Sequence, residues 1–176
     1  LAEALRSVEA DQSGATADYI PELADADPDL LAAGLCTVDG HVYSAGDAGV
    51  EFSIQSISKP FVYALALADR GFDAVLEKVG VEPSGDAFNE ISLEPGSGRP
   101  LNPMINAGAI TAHTLAGPEG ATPEERVERI IDGLSAFAGR RLQVDESVYH
   151  SELSHAYRNR ALANMLRAHY IIADDP

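Results

Sequence analysis

Apolar positions open the chain at helical spacing: in LAEALRSVE they fall at residues 1, 2, 4, 5 and 8. GATADYIPELADADPDLLAAG is expected to continue as short helical pieces broken at Pro21 and Pro28. From Leu35 the period changes. LCTVDGHVYSAGD predicts two short strands joined at Asp39-Gly40, the pair that most favours a tight type I′ turn, and VEFSIQS predicts a third extended piece. A small antiparallel sheet is therefore expected. After Pro60, FVYALALADR predicts an apolar helix stopped by Gly71, and FDAVLEKVG predicts another short one. Between Val81 and Asn106, Pro83, Pro95, Pro100 and Pro103 stand among glycines, which predicts an ordered, irregular loop of the kind that often holds sites.

Helical marks return in TPEERVERIIDGLSAFAG. Thr122 is the expected N-cap, Pro123 the first helical residue, and acids fill the first turn, where the helix dipole favours them. Val127, Ile130, Ile131, Leu134, Phe137 and Ala138 are expected to line one face. VDESVYHSELSHAYRNRALANMLRAHYI predicts one or two further helices, with Leu162, Met165, Leu166 and Ile172 as a core stripe. Helix dominates, and no repeat or linker divides the 176 residues, so one domain over 1–176 is expected.

Charge narrows the function classes. Twelve Lys plus Arg against 28 Asp plus Glu leave a net charge of −16, which disfavours nucleic acid and anionic membrane surfaces as partners. Only two of those basic residues are lysines, Lys59 and Lys78. The acid excess is spread along the chain, and salt tolerance is the expected consequence. No apolar run reaches membrane-spanning length and LAEALRSVEADQ lacks the regions of a signal peptide, so a cytoplasmic location is expected. The single cysteine, Cys36, has no partner for a disulfide or a Cys-x-x-Cys site and is expected to be a small buried hydrophobe. His41, His113, His150, His155 and His169 show no metal-ligand spacing, and no glycine-rich phosphate loop is present, so neither a metal nor a nucleotide is expected.

Three clusters carry candidate chemistry. In QSISK, Ser56 and Lys59 are three apart and can share one face of a helical turn. A lysine kept neutral by burial can take the proton of a serine nucleophile, and the free amides of the same turn can hold an oxyanion. On spacing alone a capping serine beside a solvated lysine is the better fit. Pro60 biases Lys59 away from helical backbone and belongs in the first turn of the helix that follows. In RPLNPMINAGAI, Asn102 and Asn106 flank a proline-stiffened turn, either as ligands of a polar group or as turn formers. In YHSELSHAYRN, Glu152 and Asn159 stand two helical turns apart and can face one cleft or a solvated surface.

Taken in order, GATADYIPELA, FSIQSISKPFVYALAL, GVEPSGDAFN, RPLNPMINAGAI and SELSHAYRNRALA resemble the serine-dependent glutaminases from about Gly14 to Asp175. The resemblance implies an α+β fold like that of serine β-lactamases and penicillin-binding proteins, helix-rich with a small antiparallel sheet. It also implies hydrolysis of L-glutamine to L-glutamate and ammonia through a glutamyl-serine intermediate, without a cofactor. By motif match Ser56 takes the place of the nucleophile and Lys59 that of its base. Tyr19, Gln55, Ser56, Asn106, Glu152 and Asn159 take the glutamine-binding places. Family members continue beyond the segment ending at Pro176, so the chain is expected to be the N-terminal part of the catalytic domain, with the remaining strands and pocket wall further on. A homo-oligomer is expected. The alternatives are a penicillin-recognising Ser-x-x-Lys hydrolase, although Ser-Asp-Asn and Lys-Thr-Gly are absent, and a non-catalytic, incomplete glutaminase module.

Overall fold

The computed structural model describes residues 1–173, which gather into two compact units. One is built from Leu1–Ser53 with Asp145–Leu153, the other from Ile54–Val144 with the chain from Ser154 onward.

The first unit begins with α1 (Ala2–Val8), as its spacing predicts, and α2 (Pro21–Ala24) is a single turn. Pro21 starts that turn instead of breaking it. A proline at the first helical position gives up only an N–H that would be unbonded anyway, and it holds Ile20 extended, at φ −136° and ψ 151°. The strands β1 (Ala32–Cys36) and β2 (Val42–Gly46) pair antiparallel from Ala32 opposite Gly46 to Cys36 opposite Val42, with α1 packed against both. Ala32–Gly34, expected to end a helical piece, are thus strand. They lie within the reach of the hairpin, and pairing with Ser44–Gly46 outweighs the helical preference of two alanines.

The hairpin turn also differs from the expected type I′. Asp39 has no positive φ; the Thr37 carbonyl accepts from Gly40 N–H at 2.9 Å, Gly40 lies at φ 88°, and Thr37 N–H donates to His41 O at 2.9 Å. This is a longer turn closed by a glycine bulge, in which only Gly40 needs the left-handed region. Thr37 Oγ1, donating to Asp39, favours it. Residues 50–54 form no strand, so the third extended piece joins no sheet. Cys36 is exposed, not buried, and so are Leu35, Val42 and Tyr43. Two strands are too few to bury both faces of their own side chains.

In the second unit, α3 (Ser58–Arg70) and α4 (Phe72–Lys78) meet at Gly71, as the sequence predicts. Residues 79–105 then run as an irregular but tied-down loop. A single bridge joins Leu93 to Pro100, and Arg99 pairs with Glu94 while donating to Leu76 O at 2.6 Å. The central helix α5 (Asn106–Leu115) packs against α3 and against α8 (Tyr157–Ala168). Its buried side is almost all small: Ala107, Gly108, Ala109, Thr111 and Ala112. Such residues let neighbouring helices close in, and the core is completed by Val62, Leu65, Val75, Ile105, Leu162 and Leu166. Leu162, Leu166 and Ile172 are buried as expected, with Met165 partly so.

The helix α6 (Pro123–Ala138) has the expected Thr122 cap, reciprocated by Glu125 in a capping box. Its predicted apolar face is only half covered. Val127 and Phe137 remain exposed, and Gly133 is the one buried residue, because α6 lies along the flank of α3 with Gly133 against Leu65. Arg129 of α6 grips Asp69 of α3 with two hydrogen bonds, at 2.7 and 3.1 Å. The last segment forms two helices, α8 preceded by α7 (Glu146–His155). Among the described residues no helix is long and apolar enough to cross a membrane.

Candidate active site

Residues 50–54 deliver the chain to a single 3-10 turn, Gln55–Ile57, with α3 following at once. Gln55 enters the turn at φ 47°, a left-handed conformation that side-chain-bearing residues seldom adopt and that recurs at functional sites. Ser58 Oγ donates to Gln55 O at 2.7 Å and ties the turn from within. Ser56, next along, is exposed, and its backbone N–H has no acceptor among the described residues. Lys59 is helical although a proline follows it, since α3 begins at Ser58 and Pro60 stands within the first turn, where no intrahelical bond is lost.

Lys59 is only 8% exposed. Its Nζ donates to Asn106 Oδ1 at 2.8 Å, and Asn106 Nδ2 donates to Asn159 Oδ1 at 3.1 Å. The three side chains come from α3, the start of α5 and the first turn of α8, and together form one polar line in an otherwise apolar helical layer. Burial pushes the Lys59 amine below the ordinary lysine value of 10.5, and no neighbouring charge opposes it. The solvated-lysine alternative therefore does not describe this residue.

Asn102 and Asn106, which flank the same turn in the sequence, separate here. Asn102 accepts from the N–H groups of Met104 and Ile105 and donates to Glu82 O, so it is a turn former. Asn106 carries the polar line. Glu152 stands in α7 and Asn159 in α8, with Ala156 as a turn residue between the two helices. Glu152 belongs to the first unit, where it acts on Tyr19. The Tyr19 phenol is raised by burial first, then by the charge of Glu152 and a hydrogen bond to it. The candidate residues thus fall into two sets, Gln55, Ser56, Lys59, Asn106 and Asn159 in the second unit and Tyr19 with Glu152 in the first.

One contact was not singled out in the sequence. The Phe88 ring lies over Lys59 Nζ, 5.0 Å from ring centroid to nitrogen, and the Phe88 carbonyl accepts the N–H of Asn106 at 2.9 Å. Phe88 sits in GVEPSGDAFN, a matched motif with no assigned role, and no local pattern marks a loop phenylalanine as a cover for a lysine 29 positions earlier.

A family model described as Glutaminase matches residues 14–176. The chain belongs to the glutaminase family. The glutaminase of Corynebacterium glutamicum is 54% identical over 175 residues, covering 99% of this chain and 42% of its own length. The glutaminase of Corynebacterium efficiens is 53% identical over 173 residues, covering 98% and 41%. The chain therefore spans about two fifths of these glutaminases. Among solved structures, Mglu in its glutamate form superposes with a TM-score of 0.92 at 51% identity, over 99% of this chain and 40% of that one. The helix-rich arrangement with its small antiparallel hairpin is a glutaminase arrangement over nearly the whole of this chain.

Proposed function

We propose that this chain is the nucleophile-bearing part of a glutaminase that hydrolyses the side-chain amide of L-glutamine to L-glutamate and ammonia. The observation that carries the reading is the state of Lys59: an amine held out of water, three residues from an exposed serine, with its pKa lowered by burial. A neutral amine has two N–H bonds and one lone pair. Donation to Asn106 Oδ1 uses an N–H, so the lone pair stays available for the Ser56 proton. Lys59 takes that proton as Ser56 Oγ attacks the amide carbon. The unbonded Ser56 N–H is one donor to the oxyanion. The proton then passes to the leaving ammonia, and water hydrolyses the glutamyl-serine ester by the reverse route.

Glu152, as a carboxylate, suits the α-ammonium of glutamine, and Tyr19, Gln55, Asn106 and Asn159 offer hydrogen bonds to its remaining polar groups. The glutamate form of Mglu supports an amino-acid ligand of this class. The same reading makes residues 1–176 the N-terminal part of a serine β-lactamase-like catalytic domain, in a cytoplasmic homo-oligomer. The test is ammonia release from L-glutamine beside L-asparagine, measured on the whole protein. Turnover of glutamine is expected, with Ser56→Ala reducing it on the order of a thousandfold or more. Undiminished turnover in Ser56→Ala, or a preference for asparagine, overturns the reading.

A further inference from the structure

We propose that Phe88 is a positioning residue for Lys59: its ring forms the solvent-side wall over the amine, keeping water from Nζ while holding it against Asn106. Three observations meet here. Lys59 is 8% exposed, whereas Phe88 is 60% exposed, so one face of the ring meets water and the other meets the amine. The centroid lies 5.0 Å from Nζ, within the range of a cation–π contact. The backbone of Phe88 is bonded to the first residue of α5, so the ring and the Asn106 side chain are set by the same short stretch of structure.

The loop around Phe88 is braced on both sides. Glu90 pairs with Arg158 of α8 at 3.0 Å, and Ser92 donates to Asp86 at 2.9 Å. The elements beside it also carry Arg160, exposed on α8, and Tyr63, one turn further along α3. None acts on the amine, and burial is the single cause of its shift.

An apolar wall and a π face push an amine in opposite directions. Excluding water favours the neutral form, whereas the electron-rich ring face favours the ammonium. Removing the ring entirely therefore admits water and raises the titration midpoint of Lys59. Replacing it with an aliphatic group keeps the wall, removes the π face, and leaves the midpoint where it was or lower.

The proposal rests on Lys59 being the base, and its test is arranged to fail separately from that reading. Lys59 is titrated by NMR of its side chain in the whole protein, its signal assigned by its loss in Lys59→Arg. Parent, Phe88→Ala and Phe88→Leu are compared, and kcat/KM for glutamine is measured against pH in each. A midpoint raised in Phe88→Ala but not in Phe88→Leu is the expected result. With it, kcat/KM below the midpoint falls about tenfold for each pH unit of movement, while the high-pH plateau is kept. A midpoint unmoved or lowered in Phe88→Ala, or a loss of activity equal at every pH, overturns the proposal. If no protein releases ammonia while the midpoint moves as described, the wall stands and the glutaminase reading falls.

Discussion

Asn106 Nδ2 donates to Asn159 Oδ1 at 3.1 Å, and this bond decides which end of the Asn106 amide faces Lys59. With the NH2 group committed to Asn159, the carbonyl oxygen is the end left to accept from Nζ.

Asn159→Ala releases the Asn106 amide to rotate. Its carbonyl then spends less time on Lys59, and an amine without its acceptor is less well aimed. The loss of one such hydrogen bond is worth roughly 1–1.5 kcal/mol, so kcat/KM should drop by about tenfold. Steady-state ammonia release checks it, and an unchanged kcat/KM removes Asn159 from this role.

Lys59 should cost the fold stability near neutrality. Its pKa is depressed in the folded state, so the unfolded chain binds the proton more readily, and stability rises as pH climbs through the folded value and levels off above the unfolded one. Lys59→Met removes this dependence. In urea unfolding, the variant's stability relative to the parent should be greatest near neutral pH and should decline toward about pH 10. A difference that does not vary with pH contradicts it.

Gly108→Ala should be poorly tolerated. A Cβ built there would come within 2.9 Å of Pro103 Cα and closer still to the Asn102 carbonyl, both of them backbone atoms that cannot swing aside. Relief requires the turn before α5 to move, and Asn106 moves with it. Overpacking of this kind costs about 1–3 kcal/mol. Thermal unfolding of the variant should show a lowered midpoint and kinetics a reduced kcat; a native-like result in both would mean the turn yields freely.

Asp69 should contribute to acid stability. Burial alone would raise its carboxyl, but the hydrogen bonds from Arg129 and from the Gly117 N–H outweigh it and hold the carboxyl below its ordinary value of 3.8. A depressed carboxyl stabilises the fold above its unfolded pKa and loses that contribution as pH falls through the folded one. Asp69→Asn should therefore cost about 1–2 kcal/mol at neutral pH and flatten the acid limb of the stability curve. Equal acid limbs in variant and parent would count against the pair.

Local signals carried much of this architecture. The Thr122 cap with Pro123 and Glu125, the stop at Gly71 and the proline-rich loop depend on neighbours in sequence, and each appears where the residues place it. What was not legible depends on distant partners. Ala32–Gly34 become strand only because Ser44–Gly46 are across from them. The half-bare face of α6 depends on how that helix meets α3, with Gly133 against Leu65. At the candidate site, Ser56, Lys59 and Asn106 could be picked out by residue type and motif, but the bond from Lys59 to Asn106 spans 47 positions and the cover of Phe88 spans a loop without periodicity. No spacing rule reaches across either.

The left-handed backbone at Gln55 has a geometric consequence for the serine beside it. An incoming chain that joined α3 smoothly would thread residue 56 into the cylinder, its amide claimed by a carbonyl one turn back. The reversal of handedness one peptide earlier starts the coil abruptly instead, so Ser56 stands exposed in its first turn with its amide unclaimed among the described residues. What Ser56 offers as the proposed nucleophile is thus a property of the bend as much as of the side chain.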